Sequence, residues 1–273
     1  MRDAILLLSF FALFSCNKER NDWDKLHLSG DVKCLTESVY SANTQTSAVE
    51  KGALLKTEKY MFDKDGRIVQ QITMEDSDTT EKTQFIYDKQ LLSGKVICDG
   101  SDQEIMRISY SYDENGRPSE VGVRKFGELV YIEKTEYNDE NKIETMTCFD
   151  GKGEYQKKEE RKIGKNGLPK EVEIFDEKRE LVNCRKEEYD PSGNLIDFTV
   201  YAADEQTPVL EVRRKYDQLG NLLIQEAVDL QGQEAFETEE YRYTFDKKKN
   251  WEKSVRYVGG KAKEFTERVI EYY

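Results

Sequence analysis

This chain of 273 residues has a single histidine, and its many carboxylates show no pattern that marks a catalytic pair. Its single histidine, His27, precedes the patterned part of the sequence, and no Ser-His-Asp, Cys-His or HExxH arrangement can be assembled around it. Asp and Glu total 55, so a glycosidase-type pair of carboxylates would not stand out from the others. We therefore expect no enzyme activity and no cofactor, with His27 as a solvated linker residue.

Metal binding is not indicated either. The segment Asp63-Lys64-Asp65-Gly66 faintly resembles the start of a calcium loop, but the third ligand and the downstream Glu are missing at the required spacing. None of the cysteines in the body of the chain forms a CxxC pair; these are Cys34, Cys98, Cys148 and Cys184. We interpret them as small, partly buried hydrophobic residues, although an exported chain can also form disulfides.

One further cysteine has an informative context. Arg2 precedes an apolar run from Ala4 to Phe14, which is too short to cross a bilayer as a helix but suits the hydrophobic region of a signal peptide. The run ends in Leu13-Phe14-Ser15-Cys16, which resembles the lipobox of bacterial lipoproteins. The resemblance implies that residues 1–15 are a signal peptide, that cleavage occurs before Cys16, and that Cys16 is lipidated.

The same resemblance implies a location. Two or three acyl chains on Cys16 anchor a protein stably, whereas a single chain binds a membrane only reversibly. Asn17, in place of Asp, favours the outer membrane over retention in the inner membrane, and periplasmic and surface-facing orientations both stay open. Residues 16–27 predict a polar tether after the lipidated cysteine, so the folded domain is expected over residues 28–273.

Composition narrows the class of partner. The formal charge is −13, which argues against nucleic acid because phosphate binding needs a basic surface. Apolar residues are 37% of the chain and charged residues 36%, so a thick, dry core is not expected. The 16 Tyr and 12 Phe, with only 4 Pro, indicate ordered, half-buried strands rather than disorder.

An internal repeat decides the architecture. The segment Phe62-Asp63-Lys64-Asp65-Gly66-Arg67 returns as Tyr112-Asp113-Glu114-Asn115-Gly116-Arg117. The leads of eight clear or weaker copies are spaced by 25 to 29 residues; they are Phe62, Tyr87, Tyr112, Tyr137, Ile163, Tyr189, Tyr216 and Phe245. Each period also holds a second turn signal, such as Asp150-Gly151-Lys152-Gly153. Two strands and two turns per period predict about 18 strands.

The repeated segment has the chemistry of a tight turn. An Asp side chain can accept a hydrogen bond from the backbone two residues ahead, and Gly three positions later adopts a left-handed conformation without steric penalty. This pattern is typical of a type I turn in a hairpin loop of four or five residues. The turn residues of the four clear copies are Asp63, Gly66, Asp113, Gly116, Asp190, Gly193, Asp217 and Gly220.

The strands before these turns alternate as half-buried antiparallel strands do. Tyr110 and Tyr112 share one face, while Ser111 between them points to water. The alternation weakens in the middle of the chain, where Arg161 and Glu187 replace aromatic residues. The sequence thus predicts an all-β protein: tandem β-hairpins in a single curled antiparallel sheet with its aromatic face on the concave side. Free sheet edges need charged residues, which are Glu264, Glu267, Arg268 and Glu271 at the final strand.

These turns resemble the YD repeats of the RHS family, in which a Tyr-Asp pair is followed by Gly with Asn or Arg at a period in the twenties. The resemblance covers about residues 28–273 and is most specific in the turns. In large RHS proteins, such repeats form a β-sheet strip that coils into a shell around a toxin. This chain is too short to enclose a cargo and is more similar to the small YD-repeat lipoproteins of Bacteroides-type bacteria.

Together, these features predict a non-catalytic outer-membrane lipoprotein that acts as a binding or scaffolding module through an extended β surface. We expect contact with the membrane through the lipid anchor, and a protein or a glycan as the partner. Two alternatives stay open. One is an immunity-type lipoprotein that neutralises a toxin, and the other is a carbohydrate-active enzyme.

The lipidation of Cys16 is directly testable. The wild-type protein should incorporate labelled palmitate and fractionate with the outer membrane, because its acyl chains partition into the bilayer. The Cys16→Ala protein should do neither. Metabolic labelling followed by membrane fractionation checks this prediction, and equal labelling of the two proteins would contradict it.

Overall fold

The computed structural model describes residues 21–44, 49–232 and 234–273. Within these ranges the chain forms one short helix, α1 (Asp22–Lys25), and is otherwise dominated by strands. None of the described helix is long and apolar enough to cross a membrane. The strands are β1 (Val32–Asn43), β2 (Glu50–Phe62), β3 (Ile68–Glu75), β4 (Asp78–Asp88), β5 (Leu91–Asp99), β6 (Glu104–Tyr112), β7 (Pro118–Lys125), β8 (Glu128–Asn138), β9 (Ile143–Asp150), β10 (Tyr155–Ile163), β11 (Pro169–Phe175), β12 (Leu181–Tyr189), β13 (Leu195–Ala202), β14 (Pro208–Tyr216), β15 (Leu222–Asp229), β16 (Glu234–Ala235), β17 (Glu239–Phe245), β18 (Trp251–Val258) and β19 (Lys261–Tyr272).

The strands form one closed antiparallel barrel. Each strand pairs with its neighbours in the chain, and β1 pairs with β19 as well as with β2. β15 pairs with both β16 and β17, so these two pieces share one strand position and the ring has 18 positions. The predicted all-β class, antiparallel sheet and number of strands are confirmed.

The closure of the ring corrects one expectation. The sequence suggested free edges protected by charged residues, whereas β1 and β19 pair from Val32 opposite Tyr272 to Ser41 opposite Glu264. Arg268, which was expected to protect an edge, instead forms an ion pair with Glu37 of β1 at 2.8 Å. No edge protection is needed at this position, because both strands have their backbone groups paired on each side.

The eight repeat turns all lie at one end of the barrel, which we call the YD rim. These turns follow β2, β4, β6, β8, β10, β12, β14 and β17. In the first turn, the Asp63 carboxylate accepts hydrogen bonds from the amides of Asp65 and Arg67, each at 3.0 Å. The Gly66 amide donates to the Asp63 carbonyl at 3.1 Å, and Gly66 has a φ of 80°. A left-handed residue after a type I turn widens the strand pairing by one residue, which produces the register shift between Met61 and Phe62 beside this turn.

The tyrosine of the Tyr-Asp pair connects one repeat to the preceding one. Tyr112 donates its hydroxyl hydrogen to the Leu92 carbonyl just after the previous turn, at 2.7 Å. Equivalent bonds at 2.8–3.0 Å join Tyr87 to Ile68, Tyr137 to Pro118, and Tyr216 to Leu195. The two residues of the pair therefore have separate structural roles. The Asp closes its own turn, and the Tyr fixes that turn to its neighbour.

The segment before β1 belongs to the fold. Asn21 caps α1 by accepting a hydrogen bond from the Asp24 amide, and the Trp23 indole donates to the Val32 carbonyl at 2.9 Å. Trp23 packs on a buried cluster in which Phe62 is a member. Residues 21–27 were assigned to the tether on sequence grounds. The structure instead has this segment packed against the barrel, because Trp23 and its neighbours bury apolar surface there.

His27 also differs from its expected role as a solvated linker residue. It has a φ of 54°, and its imidazole lies against Gly220, where a Cβ atom would be only 2.6 Å from the ring. A side chain on residue 220 would therefore collide with the imidazole. His27 is exposed to solvent on its other side and contacts a repeat turn.

The path of this segment identifies the inner face of the barrel. Asp22 accepts a hydrogen bond from the Ile68 amide of β3 at 2.8 Å, and His27 lies at Gly220 beside β15. These contacts are six strand positions apart in the ring, or about 29 Å along the sheet. Five residues in a helical turn, with both side chains, span at most roughly 24 Å. The segment therefore crosses the concave side, and the face that it touches, which carries Phe62, lines the inside.

The repeat turn supplies a stability test at Gly116. This residue has a φ of 78°, and nothing lies within 4 Å of the position that a Cβ atom would take. Gly116→Val should lower the free energy of unfolding by about 1–2 kcal/mol through backbone strain alone. Gly116→Asn should lower it less, because Asn tolerates the left-handed region. Urea unfolding measures both, and equal, negligible losses would contradict the turn geometry.

Candidate functional site

The inner wall is the face of the sheet that carries Leu35 and Tyr60, which are paired across β1 and β2. Directly paired residues lie on the same side of a sheet, so the strand register continues this face around the ring. Glu133, for example, pairs with Val121 on one side and Cys148 on the other. Every strand position thus contributes its alternate residues to one continuous concave surface.

The outer wall is charged and exposed to water. Arg213 has a side chain that is 63% exposed, and Lys134 and Arg242 are similarly open. Ser111 and Lys215 were predicted to point to water, and both are exposed. The two faces of the sheet therefore differ in environment, and the crowded inner wall is the candidate functional surface.

Pairs of tyrosine and glutamate recur on the inner wall. In each pair, the tyrosine hydroxyl donates to a carboxylate two residues away on the same strand, at 2.5–3.0 Å; the pairs are Tyr60 with Glu58, Tyr131 with Glu133, Tyr189 with Glu187, and Tyr241 with Glu239. Burial, together with the bond to Glu239, raises the pKa of Tyr241 to about 12. The phenols therefore stay neutral and act as hydrogen-bond donors to the carboxylates.

Arginine side chains form ion pairs with several glutamates of the inner wall, including two of those bound by tyrosine. Arg161 binds Glu159 at 2.6 Å and reaches across to Glu144 of β9 at 2.8 Å. Similar pairs join Arg185 to Glu187, Arg256 to Glu239, and Arg268 to Glu37. A charge that is removed from water is stable only when it is paired and hydrogen-bonded. This explains why these arginine and glutamate side chains occur as ion pairs.

Glu133 is an inner-wall carboxylate whose environment shifts its pKa. Only 5% of this residue is exposed, and burial raises the pKa of its carboxyl above the ordinary value. The hydrogen bond from Tyr131 opposes that rise, and Tyr131 also contacts the Cys148 sulfur at 2.8 Å. Arg161 and Lys157 lower the pKa of Glu133 from a distance.

Two inner-wall cations, Lys95 and Arg214, lie beside aromatic rings and have no carboxylate at salt-bridge distance within the described ranges. The Lys95 ammonium lies 4.9 Å from the Phe85 ring centre and 6.0 Å from that of Tyr110, and burial lowers its pKa. Arg214 donates to the Gln225 side chain at 2.8 Å and lies over Phe198. Lys95 is on β5 and Arg214 on β14, nine positions apart, so they occupy opposite sides of the ring. These two sites combine a cation with an aromatic ring.

The residues singled out from the sequence occupy the YD rim instead of a common site. The Asp and Gly residues at 63, 66, 113, 116, 190, 193, 217 and 220 all lie in repeat turns spread around this rim. Two of these turns are covered, because Trp23 lies over Gly66 and His27 over Gly220. Cys16 and the predicted signal peptide, residues 1–15, lie outside the described residues.

The charged inner wall was not recognised from the sequence. Its signal was present at Arg161 and Glu187, which interrupt the row of aromatic residues. Both side chains point to the inner wall and are paired there. The cysteine interpretation is confirmed: the cysteines of the described part are free, with Cys34, Cys148 and Cys184 buried and Cys98 half-buried.

Comparison with known proteins gives no family for the chain, since no family model and no curated protein matches it. Solved structures with similar strand architecture include a porin-like protein from Bacteroides uniformis (10% identity, TM-score 0.46, 89% of this chain and 99% of that one). A porin-like protein from Bacteroides vulgatus has 12% identity and a TM-score of 0.41 over 89% of this chain and 98% of that one. The Photorhabdus luminescens Tc holotoxin pore has 13% identity and a TM-score of 0.32 over 81% of this chain and 13% of that one.

The ion pair at the closure of the barrel provides a test of the inner wall. The Arg268 side chain is 7% exposed, is paired with Glu37, and stacks on Trp251 at 3.5 Å. Arg268→Gln should lower the free energy of unfolding by about 3 kcal/mol, because it removes a buried cation and leaves the half-buried Glu37 carboxylate unpaired. Arg213→Gln, on the exposed outer wall, should lower it by less than about 1 kcal/mol. Urea unfolding compares the two, and equal losses would show that the inner wall is no drier than the outer one.

Proposed function

We propose that this protein is a lipid-anchored, non-catalytic binding module of the outer membrane whose inner wall receives an acidic glycan. The observation that carries the proposal is the pair of inner-wall cations without carboxylate partners, Lys95 and Arg214. Each stands beside an aromatic ring, Phe85 for Lys95 and Phe198 for Arg214. Sugar rings pack well against aromatic side chains, and a sugar carboxylate would supply the missing counter-charge.

The charged outer wall supports attachment through lipid. A barrel wall that faces lipid carries an apolar band about 25 Å tall. This outer wall instead presents side chains such as Lys134, Arg213 and Arg242. Acyl chains on Cys16, as the lipobox resemblance implies, would hold such a water-exposed barrel beside the bilayer.

The engagement of the inner-wall carboxylates supports binding rather than catalysis. Glu37, Glu144, Glu159 and Glu239 are all held in ion pairs with arginine. For Glu239, the bond from Arg256 lowers the pKa of the carboxyl, so this group is poorly suited to donate a proton. Glu133, with its raised pKa, is the residue on which the carbohydrate-active alternative depends.

The proposal is tested with the purified full-length protein on an array of acidic and neutral glycans, followed by titration of the captured sugars. Lys95→Met and Arg214→Met should each weaken binding of the acidic sugars by at least about tenfold, since each removes a charged contact. Lys134→Met, which removes an outer-wall cation near Phe149, is the matched control and should leave binding unchanged. Binding that is equal in all four proteins would overturn the proposal.

The alternatives give different results in the same experiment. Release of reducing sugar that Glu133→Gln abolishes, in a protein that remains folded by circular dichroism, would replace binding by catalysis. Capture of a toxin protein instead of any glycan would favour the immunity-type alternative.

A further inference from the structure

The described chain enters the barrel at the YD rim. The Asn21 side chain donates to the Asp65 carbonyl at 3.2 Å, and the amides of Asp22 and Trp23 donate to the Gly66 carbonyl. Five peptide steps separate Asn21 from Cys16, and an extended chain covers at most about 18 Å in five steps. If Cys16 is lipidated, as the proposed function holds, the YD rim is the end of the barrel that faces the bilayer.

One turn of this rim is strongly basic. Lys247, Lys248 and Lys249, between β17 and β18, are all exposed, and within the described part none of the three forms an ion pair with a carboxylate. Lys248 instead lies 3.1 Å from the centre of the Tyr272 ring. The basic turn therefore presents three positive charges that the fold does not neutralise.

Exposed apolar side chains lie next to the basic turn. Phe245 leads into it and is 40% exposed, while Leu219 in the adjacent repeat turn is 41% exposed. Tyr273, at the end of β19, is 52% exposed. Lysines beside exposed aromatic and aliphatic side chains have the composition of a membrane-interface surface, in which the rings enter the headgroup layer and the cations meet lipid phosphates.

The opposite side of the rim is acidic. Glu114 lies in the turn after β6, and Asp139 and Glu140 lie in the turn after β8. All three are exposed, and Asp139 also forms an ion pair with Arg117 at 2.6 Å. Each of these turns is eight strand positions from the basic turn by the shorter way round the ring, which places them across it. Screening confines the field of an exposed charge to about 10 Å, so the basic side acts on a nearby surface despite the formal charge of −13.

We propose that the turn Lys247–Lys249, with Phe245 and Leu219, docks on the anionic bilayer that carries the lipid anchor. In this orientation the basic side of the YD rim contacts the membrane, and the acidic side of the rim lies farther from the bilayer. The proposal rests on the proposed lipidation for its geometry. The basic turn itself is testable without the lipid.

The first experiment uses the full-length lipidated protein in vesicles of phosphatidylethanolamine with about one quarter phosphatidylglycerol. A polarity-sensitive fluorophore is attached at Leu219→Cys in a Cys98→Ser background, since the other described cysteines are buried. Spin-labelled lipid should quench this probe at least severalfold more than the same probe at Glu114→Cys. Neutralising the turn by Lys247→Gln, Lys248→Gln and Lys249→Gln should remove the difference, as should 0.5 M salt in the wild-type turn.

The second experiment separates docking from lipidation. The full chain with Cys16→Ser is sedimented with the same vesicles and with phosphatidylcholine vesicles. It should bind the anionic vesicles at least about tenfold more tightly than the neutral ones, and the triple lysine variant should lose that preference. The double variant Glu114→Gln and Glu140→Gln, which removes exposed charges from the opposite side of the rim without breaking an ion pair of the described structure, is the control and should keep it.

The two experiments fail in different ways. Equal quenching at the two probe positions, or quenching that survives loss of the three lysines, would overturn the docking proposal. A lysine-dependent preference in the Cys16→Ser chain, together with no lipid on the wild-type protein, would retain docking and overturn the anchor. Absence of any preference for anionic vesicles would overturn docking whatever the state of Cys16.

Discussion

The pairing of β1 with β19 is the constraint on which the rest of the structure depends. It joins residues that are more than 200 positions apart in the chain and closes the described sheet into a ring. The Glu37–Arg268 ion pair stabilises the β1–β19 junction on the inside of the barrel. The Tyr273 hydroxyl, just after β19, donates a hydrogen bond across β1 to the Phe62 carbonyl of β2. Once the ring is closed, one face of every strand becomes concave, and side chains on that face are crowded together and lose water.

The chemistry of the inner wall follows from that crowding. A glutamate side chain on an open, hydrated sheet costs little free energy, but it becomes destabilising when water is removed. The inner-wall carboxylates are therefore paired with arginine and tyrosine donors. Arg161 shows the result, since it binds carboxylates from two strands. Against this background, Lys95 and Arg214 are unusual because aromatic and amide groups surround them without a neutralising carboxylate.

Local features of the fold were predictable from sequence, and long-range ones were not. The turn at Asp113 and Gly116 depends on residues within five positions of each other, so its pattern can be read directly and repeated copies give the strand count. Closure of the barrel brings Glu37 and Arg268 together from opposite ends of the chain, and no short sequence pattern predicts such a long-range contact. The docking of Trp23 was missed for the same reason: its four-residue helix has no periodicity of its own, and its partners lie in distant strands.

The repeat also makes the two ends of the barrel chemically different. Toward the YD rim, the repeat tyrosines point inward and bind carbonyls of the preceding repeat. Toward the opposite rim, several aromatic rings lie on the outer face with cations stacked on them, as Lys158 is on Phe175 and Lys186 is on Tyr201. A chain that enters at the YD rim therefore presents its inward-facing tyrosines at the entry end and its cation-covered rings at the far end.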